Sequence, residues 1–119
     1  MANDLKYEAV LPLTRTELVA RLESNDPHTV ASALYSATKY ENDWKWVQEL
    51  CLKGLTSTEL DIRWAAATCL GDLAFFRHFP VNFEIVILAL ERALQDPSIA
   101  DPAGFSLSIV RQALKKETL

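Results

Sequence analysis

Residues 61–73 read DIRWAAATCLGDL, and this stretch decides the fold. Its apolar residues recur at intervals of three and four, which is the period of an amphipathic α-helix and not that of a strand. Ile62, Ala65 and Cys69 belong to the apolar stripe, whereas Trp64 lies on the opposite side of the helix. The small alanines allow a neighbouring helix to approach closely. The stretch therefore predicts an inner helix of an all-helical protein.

Helix start signals divide the rest of the chain into five more helices. Capping boxes, in which a Thr hydroxyl and a Glu carboxylate bond to the first free amides of a helix, are predicted at residues 14–17 and 56–59. Asn and Asp are also good caps, and proline is tolerated at the first helical position. The other start signals are Asp26-Pro27, Asn42-Asp43 and Asp101-Pro102, while Pro80 ends the fourth helix and Asp96-Pro97 closes the fifth.

The helices repeat in pairs. Residues 44–55 align with residues 83–94 at an offset of 39, and Leu22 takes the place of Leu55 at a point 33 residues earlier. A polar turn and a second helix follow Leu22, Leu55 and Leu94 alike. The sequence therefore predicts one domain over residues 1–119, built from three helix–turn–helix units.

The stretch 61–73 resembles the second helix of a HEAT repeat, which has an acidic turn residue, an aliphatic residue, an arginine, an alanine-rich stretch and Leu-Gly. The matching residues are Ile62, Arg63, Ala66, Leu70 and Gly71. Residues 26–37 and 101–114 are weaker copies, without the arginine and the Leu-Gly. The resemblance implies an all-α fold, a short right-handed α-solenoid of about three HEAT-like helix pairs. It also implies that Arg63 is structural and bonds to an adjacent turn, and that Gly71 lets a neighbouring helix come close.

Composition and charge indicate an ordered, acidic protein. Half of the residues are hydrophobic and 24% are charged, which is the balance of a globular chain rather than of a disordered one. A formal net charge of -4 argues against a nucleic-acid binder, because that function needs Lys and Arg to displace counterions from phosphate. The charge suits a basic protein partner better.

The sequence predicts a cytoplasmic protein. Residues 1–8 have neither the basic start nor the apolar stretch of a signal peptide, and no apolar run is long enough to cross a membrane. Cys51 and Cys69 lie inside apolar helical runs, which favours two buried free thiols in a reducing compartment over a disulfide framework.

Motifs for catalysis are missing, so no enzymatic activity is expected. His28 and His78 stand at capping or solvent-exposed positions, and neither has a companion at metal-ligand spacing. The two cysteines form no CxxC pair, and the three glycines stand apart and form no phosphate loop. A cysteine–histidine nucleophilic pair is sterically possible but has no supporting motif. We predict no metal, no cofactor and no small-molecule ligand.

Aromatic residues off the apolar stripes, together with nearby carboxylates, are the candidate partner-binding residues. Such residues are typical of anchor positions in protein–protein interfaces. Packing between helix pairs is the competing interpretation of the aromatics, and helix capping is that of the carboxylates. The candidates are Tyr35, Glu41, Asp43, Trp44, Asp61, Trp64, Asp72 and Phe75.

Small stand-alone HEAT-like proteins of bacteria resemble either immunity proteins that neutralise a toxin or adaptors that hold a subunit or an enzyme. A single acidic domain without linkers favours an immunity protein, with a basic toxin domain, such as a nuclease, as its partner. A scaffold or assembly adaptor is the alternative, and it would expose a larger apolar face. A DNA-alkylation-repair enzyme also has helical repeats, but it needs a longer chain and a basic groove.

Overall fold

The computed structural model describes residues 10–76 and 82–118, which form six α-helices and no strand. The helices are α1 (Arg15–Leu22), α2 (Pro27–Tyr40), α3 (Trp44–Gly54), α4 (Leu60–Phe76), α5 (Phe83–Ala93) and α6 (Ala100–Thr118). Their number and order confirm the six helices predicted from the sequence. Among the described residues, no helix combines the length and the apolarity that a membrane span needs. Three features discussed from the sequence lie outside the described residues: the predicted helix stop at Pro80, the side chain of His78, and the N-terminal stretch 1–8.

Side-chain caps set the starts of α1, α3 and α5. The predicted capping box of α1 is confirmed: Thr14 Oγ1 accepts a hydrogen bond from the Glu17 amide at 3.1 Å, and the Glu17 carboxylate accepts one from the Thr14 amide at 2.9 Å. Asp43 caps α3 by accepting from the Trp46 amide, and Asn82 caps α5 in the same way. Each cap satisfies an amide that has no partner inside its helix.

The second predicted capping box, at residues 56–59, does not form. The Thr56 hydroxyl donates to the Lys53 carbonyl at 2.8 Å and so bonds to the end of α3. Ser57 Oγ accepts from the Glu59 amide, which lies just before α4. The prediction was wrong because a threonine between two helices can serve the free carbonyls of the first as well as the free amides of the second.

The Asp-Pro pairs at the starts of α2 and α6 differ in detail from the prediction. α2 begins at Pro27 as predicted, although the Asp26 carboxylate accepts from the Thr29 hydroxyl at 2.7 Å and makes no bond to a helix amide. α6 begins at Ala100, one residue before Asp101. Asp101 therefore lies in the first turn of α6, where its negative charge interacts favourably with the helix dipole.

The helices pack as three pairs, with α4 at the centre. α1 packs against α2, α3 against α4, and α5 against α6, while α2 and α6 both pack against α4. The second helices of the pairs therefore form a row, α2–α4–α6. Buried side chains from both helices of each pair fill the core, and they include Leu18, Leu34, Val47, Leu70, Leu90 and Val110.

α4 and α6 approach each other most tightly at Gly71. A Cβ atom placed on Gly71 would lie 2.5 Å from Ser106 Oγ and 2.9 Å from Ser106 Cα, so the site has no room for a side chain. The Ser106 hydroxyl donates to the Ala67 carbonyl of α4 at 2.6 Å. The expectation that Gly71 lets a neighbouring helix come close is confirmed.

Arg63 joins the turn before α4 to the turn before α6. Its Nη1 donates to the Ser57 carbonyl and its Nη2 to Ser98 Oγ, both at 3.1 Å. Nε lies 3.2 Å from Asp96 Oδ2 but off the line of a hydrogen bond, so this contact is an ion pair only. Hydrogen bonds from Ser98, and then the Arg63 charge, hold the pKa of Asp96 below its usual value. The structural role expected of Arg63 is confirmed.

Candidate functional site

α4 has a strip of surface that faces away from α3. Ala66 faces α3, because a Cβ atom on Gly54 would lie 2.9 Å from the Ala66 Cβ. At about 100° per residue, Trp64 and Phe75 lie about 160° and 180° around the helix from Ala66. Their side chains are exposed, with relative exposures of 43% and 55%. Both rings therefore lie on the side of α4 opposite to α3.

Tyr35 of α2 lies beside this strip. Its ring is half-buried, and its hydroxyl is close enough to Thr68 to form a hydrogen bond. Burial, followed by the charges of Cys69, Asp72 and Asp61, raises the pKa of Tyr35 to about 12, although the Thr68 hydroxyl opposes the shift. The phenol therefore stays protonated at physiological pH.

α6 presents Phe105 away from its neighbouring helices. Ser106 faces α4, and Arg111 faces α5, where it pairs with Glu91 at 2.6 Å. Phe105 lies about 100° around the helix from Ser106 and about 120° from Arg111. With a relative exposure of 73%, Phe105 is the most exposed large apolar residue in the described part of the chain.

These strips lie on one side of the row of helices. α3 and α5 are neighbours, because Gln48 Oε1 of α3 accepts a hydrogen bond from the Asn82 amide at the start of α5, at 2.8 Å. The side of α4 opposite to α3 and the side of α6 opposite to α5 therefore face the same way. We call this surface the aromatic–acidic face, and its residues are Tyr35, Asp61, Trp64, Asp72, Phe75, Asp101 and Phe105.

Asp72 is a half-buried carboxylate on the aromatic–acidic face. No described cation pairs with it and no described donor bonds to it. The titratable groups that interact with it are Tyr35 and Cys69, neither of which carries a positive charge. Burial raises the pKa of Asp72 above its ordinary value, because removal from water disfavours the charged form.

Replacing Asp72 with asparagine is expected to raise the melting temperature of the free protein at neutral pH. The folded chain keeps the Asp72 proton to a higher pH than the unfolded chain does, so stability falls as the pH rises from about 3.8 through the raised pKa. The amide removes this penalty and preserves the shape of the side chain. Thermal melts of both chains should coincide below pH 3.8 and separate towards pH 7. A lower melting temperature for the variant at pH 7 would contradict the assignment.

Three of the predicted residues lie elsewhere, around the turn between α2 and α3. Arg15 of α1 reaches Glu41 Oε2 at 3.6 Å and Asp43 Oδ2 at 3.2 Å, and its guanidinium lies 3.7 Å from the centre of the Trp46 ring. Trp44 is half-buried at the start of α3. The predicted residues that the structure brings together are Tyr35, Asp61, Trp64, Asp72 and Phe75. A binding role for any of the eight stays a prediction.

Phe105 and Asp101 are the two residues of this face that were not among the predicted site residues, and Phe105 is the aromatic one. The buried stripe of α6 runs through Ala103, Ser106, Leu107 and Val110. This stripe is difficult to recognise in the sequence, because it includes Ser106 and serine is seldom a core residue. If the apolar stripe is extended from Val110 towards the start of α6 at helical spacing, Phe105 lies outside it. This position off the stripe was the signal in the sequence that Phe105 is exposed.

Within residues 10–76 and 82–118, no group of three or more His, Cys, Asp and Glu could hold a metal ion. Cys51 and Cys69 are buried free thiols, as predicted, and burial raises the pKa of the Cys69 thiol, which disfavours its reactive thiolate form. A cleft of about 350 Å³ between α1, α2, α3 and α4 has Lys53 as its one titratable lining residue. Its apolar lining residues are Leu22, Val30, Leu34, Leu50 and Ile62.

The chain is all-helical, and the aromatic–acidic face exposes Trp64, Phe75 and Phe105, residues of a type enriched in protein interfaces. A scan against models of protein families gives no match, and a search of curated proteins gives none. The chain is similar to a chain in the crystal structure of a CDI complex from Cupriavidus taiwanensis LMG 19424. The two are 25% identical, the match covers 88% of this chain and 94% of that chain, and the TM-score is 0.78.

Proposed function

We propose that this chain is an immunity protein, which binds a toxin through the aromatic–acidic face and so neutralises it. The observation that carries the proposal is the set of exposed rings, Trp64, Phe75 and Phe105, on one side of the row of helices. Aromatic anchors of this kind supply much of the binding energy of protein interfaces. The similarity to a chain from a CDI complex, where CDI stands for contact-dependent inhibition, supports a toxin as the partner.

The proposed architecture is a short right-handed α-solenoid of HEAT-like helix pairs. The contacts of α4 with both neighbouring second helices support it, as do the Gly71–Ser106 and Arg63–Ser98 contacts between successive pairs. The second helices of a solenoid commonly line its partner surface. In this proposal the chain acts in the cytoplasm, by binding alone and without catalysis.

A basic toxin domain fits the carboxylates of the aromatic–acidic face. Asp61, Asp72 and Asp101 lie on it, whereas Arg63 and Arg111 are engaged with Asp96 and Glu91 away from it. The whole chain has a formal net charge of -4. Complementary charge speeds the encounter of two proteins, and the exposed rings then hold the complex together.

An assembly adaptor is a second candidate function, and α5 gives the reason to consider it. Ile85 and Leu88 are each 49% exposed, and they lie about 60° apart on the surface of that helix. This apolar strip is separate from the aromatic–acidic face, so it could hold a second partner. A binary complex with the toxin favours the immunity function, whereas a stable ternary complex through α5 favours the adaptor.

Co-expression with the toxin domain encoded beside this chain's own gene tests the immunity function. The toxin domain alone is expected to stop growth, and this chain is expected to restore growth and to co-purify with the domain as a 1:1 complex. If the chain accumulates in folded form but neither binds the domain nor restores growth, the proposal is wrong.

A further inference from the structure

Asp72 differs from the other half-buried carboxylates of the described residues. Glu41 and Asp96 are the other two, and each has an arginine within 4 Å: Arg15 lies 3.6 Å from Glu41 and Arg63 lies 3.2 Å from Asp96. Asp72 has no such cation in the part of the chain that the structure describes. A charge that is partly removed from water and unpaired is unfavourable for the free protein. Within residues 10–76 and 82–118, no positive group balances Asp72, so a cation supplied by a partner would stabilise this carboxylate.

The surroundings of Asp72 favour a planar cation. Tyr35 lies close enough to Asp72 to interact with it electrostatically, and its half-buried ring is held at α4 beside Thr68. The Thr68 hydroxyl already donates to the Trp64 carbonyl at 2.9 Å and is not available to Asp72. Thr68 and Asp72 are one turn apart on the same side of α4, so a cation on Asp72 is within reach of the Tyr35 ring. A guanidinium group suits this position, because it can stack on an aromatic ring and bond to both carboxylate oxygens.

Resting on the proposed function, we propose that the toxin places an arginine side chain on Asp72, with its guanidinium packed against the Tyr35 ring. Arginine fits better than lysine, because its guanidinium is more weakly hydrated and presents two parallel donors to a carboxylate. A metal ion fits poorly, because no three potential ligands converge in the described residues. The formal net charge of -4 favours the approach of a basic partner to the chain as a whole.

The site can be tested without the toxin, by titrating the labelled chain with N-acetyl-arginine amide and following its amide signals by NMR at constant ionic strength. We expect saturable shifts around Tyr35 and Asp72, several-fold weaker binding of the lysine analogue and no binding of the uncharged citrulline analogue. Asp72→Asn should lose the shifts. Glu49→Gln, which removes a charge from exposed α3 surface, should keep them. Equal binding of the citrulline analogue, or undiminished binding to Asp72→Asn, would overturn the proposal.

The toxin domain provides the second test. Removing one partner of a desolvated charge pair commonly costs about 2 kcal/mol or more, so Asp72→Asn should weaken the Kd by about 30-fold or more, and Glu49→Gln should leave it unchanged. Equal affinity of the wild type and Asp72→Asn for the toxin would refute the arginine contact and leave the immunity function standing. If the wild type binds no toxin while the arginine titration succeeds, the immunity function fails and the arginine site stands.

Discussion

The double substitution of Trp64 and Phe105 by alanine is expected to weaken binding of the proposed toxin partner strongly while leaving the helical fold intact. The side chains are 43% and 73% exposed, so their removal leaves no large cavity in the core. An anchor residue at the centre of an interface commonly contributes about 2 kcal/mol or more. Loss of two anchors should therefore weaken the Kd by about a thousandfold. Calorimetric titration gives the affinity, and circular dichroism checks the fold.

The matched control is the double substitution of Ile85 and Leu88 by alanine on α5. These side chains have similar exposure and lie outside the aromatic–acidic face. The control should bind the toxin with wild-type affinity. If instead the control loses binding and the Trp64 and Phe105 variant keeps it, the partner surface lies on α5. If the Trp64 and Phe105 variant fails to fold, the rings serve packing between helices.

Gly71→Ala is expected to destabilise the chain more than the same substitution at Gly54 or Gly104. The new Cβ would lie within 2.9 Å of the Ser106 Cα, Cβ and Oγ, and a backbone atom cannot move without shifting α6. Overpacking of this kind costs about 2 kcal/mol or more, which outweighs the gain of about 1 kcal/mol that alanine normally gives in a helix. The free energy of unfolding can be measured by urea denaturation.

Gly104→Ala in α6 is the control for this substitution. Its Cβ would meet only Leu94 Cδ2, at an ordinary contact distance of 3.5 Å. Helix propensity then decides the sign, and this variant should be more stable than the wild type by about 0.5–1 kcal/mol. Equal destabilisation by both substitutions would mean that the contact between α4 and α6 is not the reason for glycine at position 71.

The order of the helices could be predicted from the sequence, because it depends on local signals. The capping box of α1 needs only Thr14 and Glu17, which are three residues apart. The apolar period of residues 61–73 identified α4, and the resemblance to a HEAT repeat gave correct structural roles for Arg63 and Gly71. These features depend on spacing within one helix or on one recurrent packing arrangement.

The choice of partner for each polar side chain could not be predicted, because distant residues decide it. Thr56 bonds to α3 rather than capping α4, since both helix ends are within its reach. Glu41 and Asp43 were predicted at the interface, but Arg15, more than 25 residues earlier in the chain, lies beside both. Only the packing of α1 against α2 and of α2 against α3 brings these groups together.

The set of residues that form the candidate site also depends on packing between helices. Trp64 could be placed off the apolar stripe from the sequence, whereas Phe105 could not, since Ser106 is buried by its bond to the Ala67 carbonyl of α4. Which aromatic residues share one surface follows from the row of second helices, and a one-dimensional pattern does not contain this row. The aromatic–acidic face is formed by α2, α4 and α6 lying side by side.

The indole N–H signals of the three tryptophans test the central claim most directly. Trp64 lies on the aromatic–acidic face, whereas Trp44 and Trp46 lie on α3, so the chain carries its own internal controls. On titration with the toxin domain, NMR should show a large shift of the Trp64 indole signal and little change in the other two. Shifts of Trp44 and Trp46 with an unchanged Trp64 would place the partner on the opposite side of the molecule and contradict the account.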